Sequence, residues 1–274
     1  MESLLQRSNA PDHVAHNATV HHHWSEPEWK TTLIKLHGIA FVIAWFFFVP
    51  IAVAGARYFR DSMTKYTPMG LRLWYHTHRT FNLIAAALMI VGLVSIFVVM
   101  DWRWIGPKVG GTRNNSSAAY HTMFGLFSVL LGWLQPFNSL LRCGPGHRLR
   151  PLFNWAHRFI GVIAWIFAAT AIMIACKYFR WAFMDYKVAV ASCAVVIGVV
   201  GATVLLCELI AHFGRQRVKD GSEKIHWPSF LQSTVVGFSS IALLILVTIL
   251  CVLIGVRPVP PWSCDVVEGD ERRR

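Results

Sequence analysis

The chain has 274 residues, of which 55% are hydrophobic and only 15% charged, against about 25% charged in soluble domains. With a mean hydropathy of +0.46, this composition excludes a water-soluble globule, a disordered chain and a collagen-like repeat. The net charge of +12 does not indicate nucleic acid, because the basic residues cap apolar stretches instead of interleaving with aromatics in one patch.

In chain order, residues 1–34 read as a disordered tail. Met1–Lys30 holds no apolar run that could serve as a signal-peptide core, so the first span is expected to act as the insertion signal. His13, His16, His21, His22 and His23 in this tail could collect a transition metal. A solvated tail without a fixed site is the stronger reading, since nothing imposes a ligand geometry.

Residues 35–256 follow as a transmembrane domain. A hydrocarbon core about 30 Å thick needs about 20 apolar residues per helix. Six stretches qualify: Leu36–Tyr58, Trp74–Met100, Ala118–Leu141, Asn154–Tyr178, Tyr186–Ala211 and Phe230–Val256. They predict an all-α, six-helix transmembrane bundle with no room for a second folded domain, and residues 257–274 form a second tail. Pro50 in the first span and Gln135-Pro136 in the third are expected to kink their helices. Trp102 and Trp104 read as an aromatic belt. The six cysteines (143, 176, 193, 207, 251 and 264) lack CxxC spacing, which excludes a cysteine zinc site. Cys193 and Cys251 sit mid-helix as small buried hydrophobes.

Orientation follows from the loops. Arg57, Arg60, Lys65 and Arg72, then Arg142, Arg148 and Arg150, then Arg215, Arg217, Lys219 and Lys224 mark one side as cytosolic by the positive-inside rule. The opposite loops are poorer, with Arg103, Lys108 and Arg113 between spans two and three and Lys177, Arg180 and Lys187 between four and five. Both termini are then non-cytoplasmic. Sequons at Asn17, Asn114 and Asn115 all fall on that same outer side, where glycosylation occurs.

Four consecutive spans each begin with histidine: His37, His76 or His78, His121 and His157. Ionisable residues at membrane depth are costly and point to function. Alternating helix direction puts His37 level with His121 near the outer face, and His78 level with His157 near the inner one. Two facing imidazoles suit a six-coordinate haem. Zinc would need further ligands, and a proton relay would more usually include acids, whereas Glu208 stands alone near the end of the fifth span. His76 and His78 face about 200° apart on a helix, and His78 is preferred because His78-x-x-Phe81-x-Leu83 repeats as His121-x-x-Phe124-x-Leu126. A second echo joins His37 and Val42-Ile-Ala-Trp45 to His157 and Val162-Ile-Ala-Trp165, with Tyr58-Phe59-Arg60 and Tyr178-Phe179-Arg180 at the same offset, as in an inverted repeat. Gly38, Gly125 and Gly161 are expected to let a flat macrocycle approach the backbone.

These residues carry a resemblance. Leu36-His-Gly-Ile-Ala-Phe-Val-Ile-Ala-Trp45, Ala56-Arg-Tyr-Phe-Arg60, Trp74-Tyr-His-Thr-His-Arg79, His121-x-x-x-Gly125 with Leu134-Gln-Pro136, and Phe153-Asn-Trp-Ala-His-Arg158 occur in the order found in cytochromes b561. The chain most resembles the transmembrane part of DOMON-linked, ferric-chelate-reductase-like members. That resemblance implies a four-helix haem-binding core, with His37, His78, His121 and His157 as axial ligands of two b haems per chain. It further implies a transmembrane oxidoreductase moving electrons from a cytosolic reductant, ascorbate favoured, to an outer acceptor such as ferric chelate or monodehydroascorbate. Residues 1–34 are not expected to form a DOMON-like β domain, and His76 occupies the neighbourhood where ascorbate-using members place a lysine close before the second ligand.

Arg79 and Arg158 directly follow the two inner histidines, with Arg72, Arg142, Arg148 and Arg150 around them. Such a cluster suits haem propionates or an anionic reductant, with His76, Arg72 and Arg150 as candidate substrate contacts, although topology anchoring alone accounts for part of it. A His-containing transporter and a haem-free scaffold or receptor-auxiliary protein are the competing readings. Lipid is the surrounding partner, and a homodimer is left open.

Overall fold

The computed structural model describes residues 27–60, 67–109, 111–140, 144, 146–219 and 227–256. The tail histidines, Asn17, Arg142, Cys143, Cys264 and residues 257–274 lie outside the described residues. Six long helices make up the structure: α1 (Glu28–Tyr58), α2 (Leu73–Val99), α3 (Ser117–Leu140), α4 (Arg150–Tyr178), α5 (Tyr186–Lys219) and α6 (Trp227–Gly255). Each contains a stretch long and apolar enough to cross a membrane.

Two ends differ most from the hydropathy reading. α1 starts at Glu28, about two turns before Leu36, immediately after Pro27, whose ψ of 135° is extended. Glu28 occupies the first turn, where the helix dipole favours an acid. α5 runs on past Ala211 to Lys219, because Arg and Lys are good helix formers and suit a helix C-terminus. Hydropathy registers transfer to hydrocarbon, so it stops where the helix still continues in polar surroundings.

α1 packs on α2, α3 on α4, and α5 on α6, and α6 returns to α1. Lys35 fastens that return by donating from Nζ to the carbonyl of Gly255 at 2.9 Å. The buried centre is formed by Trp45, Phe46, Ala85, Met89, Val129, Ala164 and Ala168. Outside it, Leu83, Val94, Phe127, Ile166, Leu205 and Phe238 are exposed. Contiguous exposed apolar surface on this scale is unfavourable in water and matches a lipid environment. The α2–α3 connection adds a short hairpin absent from the all-helical expectation, β1 (Lys108–Val109) and β2 (Thr112–Arg113), with Gly111 at φ 88° at its turn.

The two prolines behave differently. Pro136 lies inside α3, whose helix continues to Leu140. Before Pro50, residues Ala44–Phe48 form a π-turn, and the Val49 N–H bonds the carbonyl of Ala44, five residues back. Proline has no N–H and crowds the carbonyl four residues earlier, so the ladder widens locally.

Candidate functional site

Two histidine pairs lie at opposite ends of the α1–α4 core. The rings of His37 (α1) and His121 (α3) have centroids 6.1 Å apart with planes at 68°. The rings of His78 (α2) and His157 (α4) are 6.3 Å apart at 66°. The levels of the two pairs are separated by some 14 helical residues, roughly 20 Å at a 1.5 Å rise.

Each of three rings is aimed by a carbonyl on a neighbouring helix. His37 Nδ1 lies 3.0 Å from Gly92 O, His78 Nδ1 3.0 Å from Ala52 O, and His121 Nδ1 2.9 Å from Ala171 O. A carbonyl only accepts, so Nδ1 carries the proton and Nε2 keeps the lone pair. Apolar rings shield both pairs. Phe41 packs edge-on to His37 at 5.0 Å, Phe179 to His121 at 5.1 Å, and Phe153 stacks on His157 at 6.1 Å and 10°. His76 points elsewhere: its Nε2 bonds Pro68 O at 2.9 Å.

The arginines divide. Arg158 and Arg72 line a cleft of about 280 Å³ together with Ala56, Arg57 and Arg60. Arg79 instead lies over the Tyr75 ring at 5.7 Å, and Arg150 over the Phe153 ring at 5.8 Å. Sequence reasoning did not single out Arg57 and Arg60 as site residues. Their spacing of three puts both at the end of α1, and only the approach of α2 and α4 turns them into a cleft. Arg60 also sits over the Trp74 ring at 5.7 Å.

The glycine expectation requires one correction. A Cβ on Gly161 would meet nothing within 4 Å, and one on Gly125 would reach only Ala171 Cβ at 4.0 Å, so both leave open space. A Cβ on Gly38 would meet Ile254 of α6 at 3.3 Å. Being one residue from His37, Gly38 is rotated about 100° from it and serves helix packing instead. Among the described residues no three His, Cys, Asp or Glu side chains converge as a metal site.

Fold and site thus define a multi-pass helical membrane protein whose four-helix core holds two separated histidine pairs. By sequence, the chain is homologous over about half its length to ferric-chelate reductase 1 and to cytochrome b561 and DOMON domain-containing proteins, the shared segment being the cytochrome b561 transmembrane region. It is 30% identical over 146 residues to ferric-chelate reductase 1 of Mus musculus, covering 53% of this chain and 23% of that protein. The human ferric-chelate reductase 1 is 29% identical over 142 residues, 52% of this chain and 22% of that one. A cytochrome b561 and DOMON domain-containing protein of Arabidopsis thaliana is 26% identical over 139 residues, 50% of this chain and 30% of that one. The match spans about a fifth of the length of these ferric-chelate reductases. No family model and no solved structure matches the chain.

The relation to cytochrome b561 implies haem, and the pairs fit it. Two imidazoles that held one metal between them, each nitrogen about 2 Å from it, would have ring centroids about 6 Å apart. The observed 6.1 and 6.3 Å agree with this. Carbonyl acceptance from Nδ1 also orients a ligating histidine and raises its basicity.

Proposed function

We propose that this chain is a transmembrane oxidoreductase that binds two b haems and moves electrons from a cytosolic anionic reductant to an acceptor on the other side. The observation that carries this reading is the duplicated pair, in which backbone carbonyls present imidazole Nε2 at both ends of one bundle. His37 and His121 would hold one haem, and His78 and His157 the other. When bound, haem would supply a one-electron couple at each pair.

The protein's own residues do the rest. Gly92, Ala52 and Ala171 hold the proton on Nδ1 and fix ring direction. Phe41, Phe153 and Phe179 keep water from the rings. Arg57, Arg60, Arg72 and Arg158 concentrate positive charge in the cleft, which raises the local concentration of an anionic donor such as ascorbate. The positive-inside rule assigns this cleft to the cytosol and both termini to the non-cytoplasmic side. The ferric-chelate reductase names of the relatives favour ferric chelate as acceptor.

A reduced-minus-oxidised spectrum with haem quantified per chain tests the cofactor, and sealed vesicles of known sidedness test direction. The reading expects a ratio near two, reduction by ascorbate from the cytosolic side, and reoxidation by ferric chelate from the opposite side. A ratio near zero, or equal rates with ascorbate on either side, overturns it.

A further inference from the structure

We infer that the π-turn in α1, clamped by Trp165, is a positioning device for His78: it supplies the rotation that brings the Ala52 carbonyl to the His78 ring. This inference builds on the reading of the His78–His157 pair as a haem site.

The register shows why a turn is needed. In α2, the acceptor Gly92 lies 14 residues beyond His78, and in α4 the acceptor Ala171 lies 14 beyond His157. Fourteen residues is close to four turns of 3.6, so histidine and acceptor share a face. In α1 the interval from His37 to Ala52 is 15. An unbroken α-helix would put Ala52 about 60° past the histidine's direction, whereas a 14-residue interval falls about 40° short of it, so the acceptor would be turned about 100° from the position used in α2 and α4. The wider turn over Ala44–Phe48 absorbs the extra residue.

Ring contacts locate the extra residue independently. Phe48 meets Phe81 at 5.4 Å, and Phe167 meets Phe124 at 5.5 Å. Phe81 and Phe124 each follow their own histidine by three residues, so these are equivalent contacts in the two helix pairs. Yet Phe48 is 11 residues beyond His37, whereas Phe167 is 10 beyond His157. Trp45 and Trp165 are both eight beyond their histidines. The registers therefore part between Trp45 and Phe48, inside the π-turn.

Trp165 holds the turn open. Because Val49 N–H bonds Ala44, the Trp45 carbonyl would look to residue 50, a proline without N–H. Trp165 donates its indole Nε1–H to that carbonyl at 3.0 Å. Trp45 is only 2% exposed, and a buried carbonyl must find a partner within the protein.

The test compares three variants in nanodiscs. Trp165→Phe keeps a ring but removes the donor. Pro50→Ala restores an N–H and allows regular α-helix. Pro50→Ala combined with deletion of Phe47 shortens the interval to that of α2 and α4. Nitrogen-15 histidine NMR of haem-free protein reads the His78 Nδ1–H, and redox titration of holoprotein reads each midpoint separately. Trp165→Phe and Pro50→Ala are expected to lose the hydrogen-bonded His78 signal and leave those of His37 and His121 in place. In holoprotein they are expected to raise one of the two midpoints, because a less basic ligand stabilises ferric iron less. The deletion is expected to restore both readouts. An unmoved His78 signal, an equal change at both pairs, or no rescue by the deletion overturns the inference. If wild-type protein proves haem-free while the His78 signal responds as stated, the positioning role stands and the haem reading alone falls.

Discussion

Arg57 on α1 and Glu208 on α5 form a two-bond ion pair, Nε to Oε1 at 2.8 Å and Nη2 to Oε2 at 2.9 Å. The Tyr58 hydroxyl donates to the same carboxylate at 3.3 Å. Glu208 thereby offsets one of the four arginines that line the cleft. Glu208→Gln is expected to tighten anionic reductant several-fold and steepen the salt dependence, read from reduction rates at varied ionic strength. Stability should change by no more than about 1 kcal/mol, because both partners are more than a third exposed.

Arg158 and Arg79 occupy matching positions after their histidines, but only Arg158 lines the cleft. Arg158→Gln should slow reduction by ascorbate several-fold with haem content retained. Arg79→Gln, removing a guanidinium that lies over Tyr75, should leave that rate nearly unchanged. Stopped-flow absorbance on the two variants decides between them. Equal losses would show that the donor site extends beyond the cleft.

On the proposed two-haem reading, pair membership sets which spectral component disappears. His37→Ala and His121→Ala should remove the same haem, and His78→Ala and His157→Ala the other, each halving the haem-to-protein ratio. His76→Ala should retain both, since His76 bonds Pro68 instead. Pyridine haemochrome quantification with redox titration reads all five variants.

Gly92 of α2 faces Phe41 and Ala40 of α1, and its carbonyl lies 3.0 Å from His37 Nδ1. A Cβ there would lie 2.7 Å from the Phe41 ring, and Phe41 packs against His37. Gly92→Ala should cost about 1–3 kcal/mol through overpacking and loosen the haem proposed for His37 and His121. Thermal unfolding and haem retention on dilution would register both effects.

The overlapping sequons are not equivalent. Asn114 is half-buried, its Nδ2 donating to Ile105 O at 3.3 Å and its Oδ1 accepting from the Ser116 N–H at 3.0 Å. Asn115 is exposed and accepts only one bond, from Arg113 Nε at 3.1 Å. In a glycosylating host, Asn115→Gln should remove the glycan carried by this loop, whereas Asn114→Gln should retain it. Loss of the mobility shift on a denaturing gel is the readout, and glycan at Asn115 would also place this loop outside.

The sequence by itself determined the six spans and the contact partners of the four histidines. Both are consequences of local counting: hydropathy depends on composition along one segment, and successive crossings of a bilayer must alternate in direction. His76 and His78 could not share a site because residues two apart on a helix face away from each other, and the choice of His78 came from the repeat of His78-x-x-Phe81-x-Leu83 as His121-x-x-Phe124-x-Leu126. Tertiary structure decided what depends on neighbours. The proline at position 50 announced a distortion, but its form as a π-turn requires Trp165 on another helix to take the freed carbonyl. Likewise, three helix ends must meet before Arg57, Arg60, Arg72 and Arg158 become one cleft, and α6 must dock before Gly38 is seen to face Ile254. Side-chain direction along one helix is periodic and therefore legible; which helix stands opposite each face is settled only when the bundle closes.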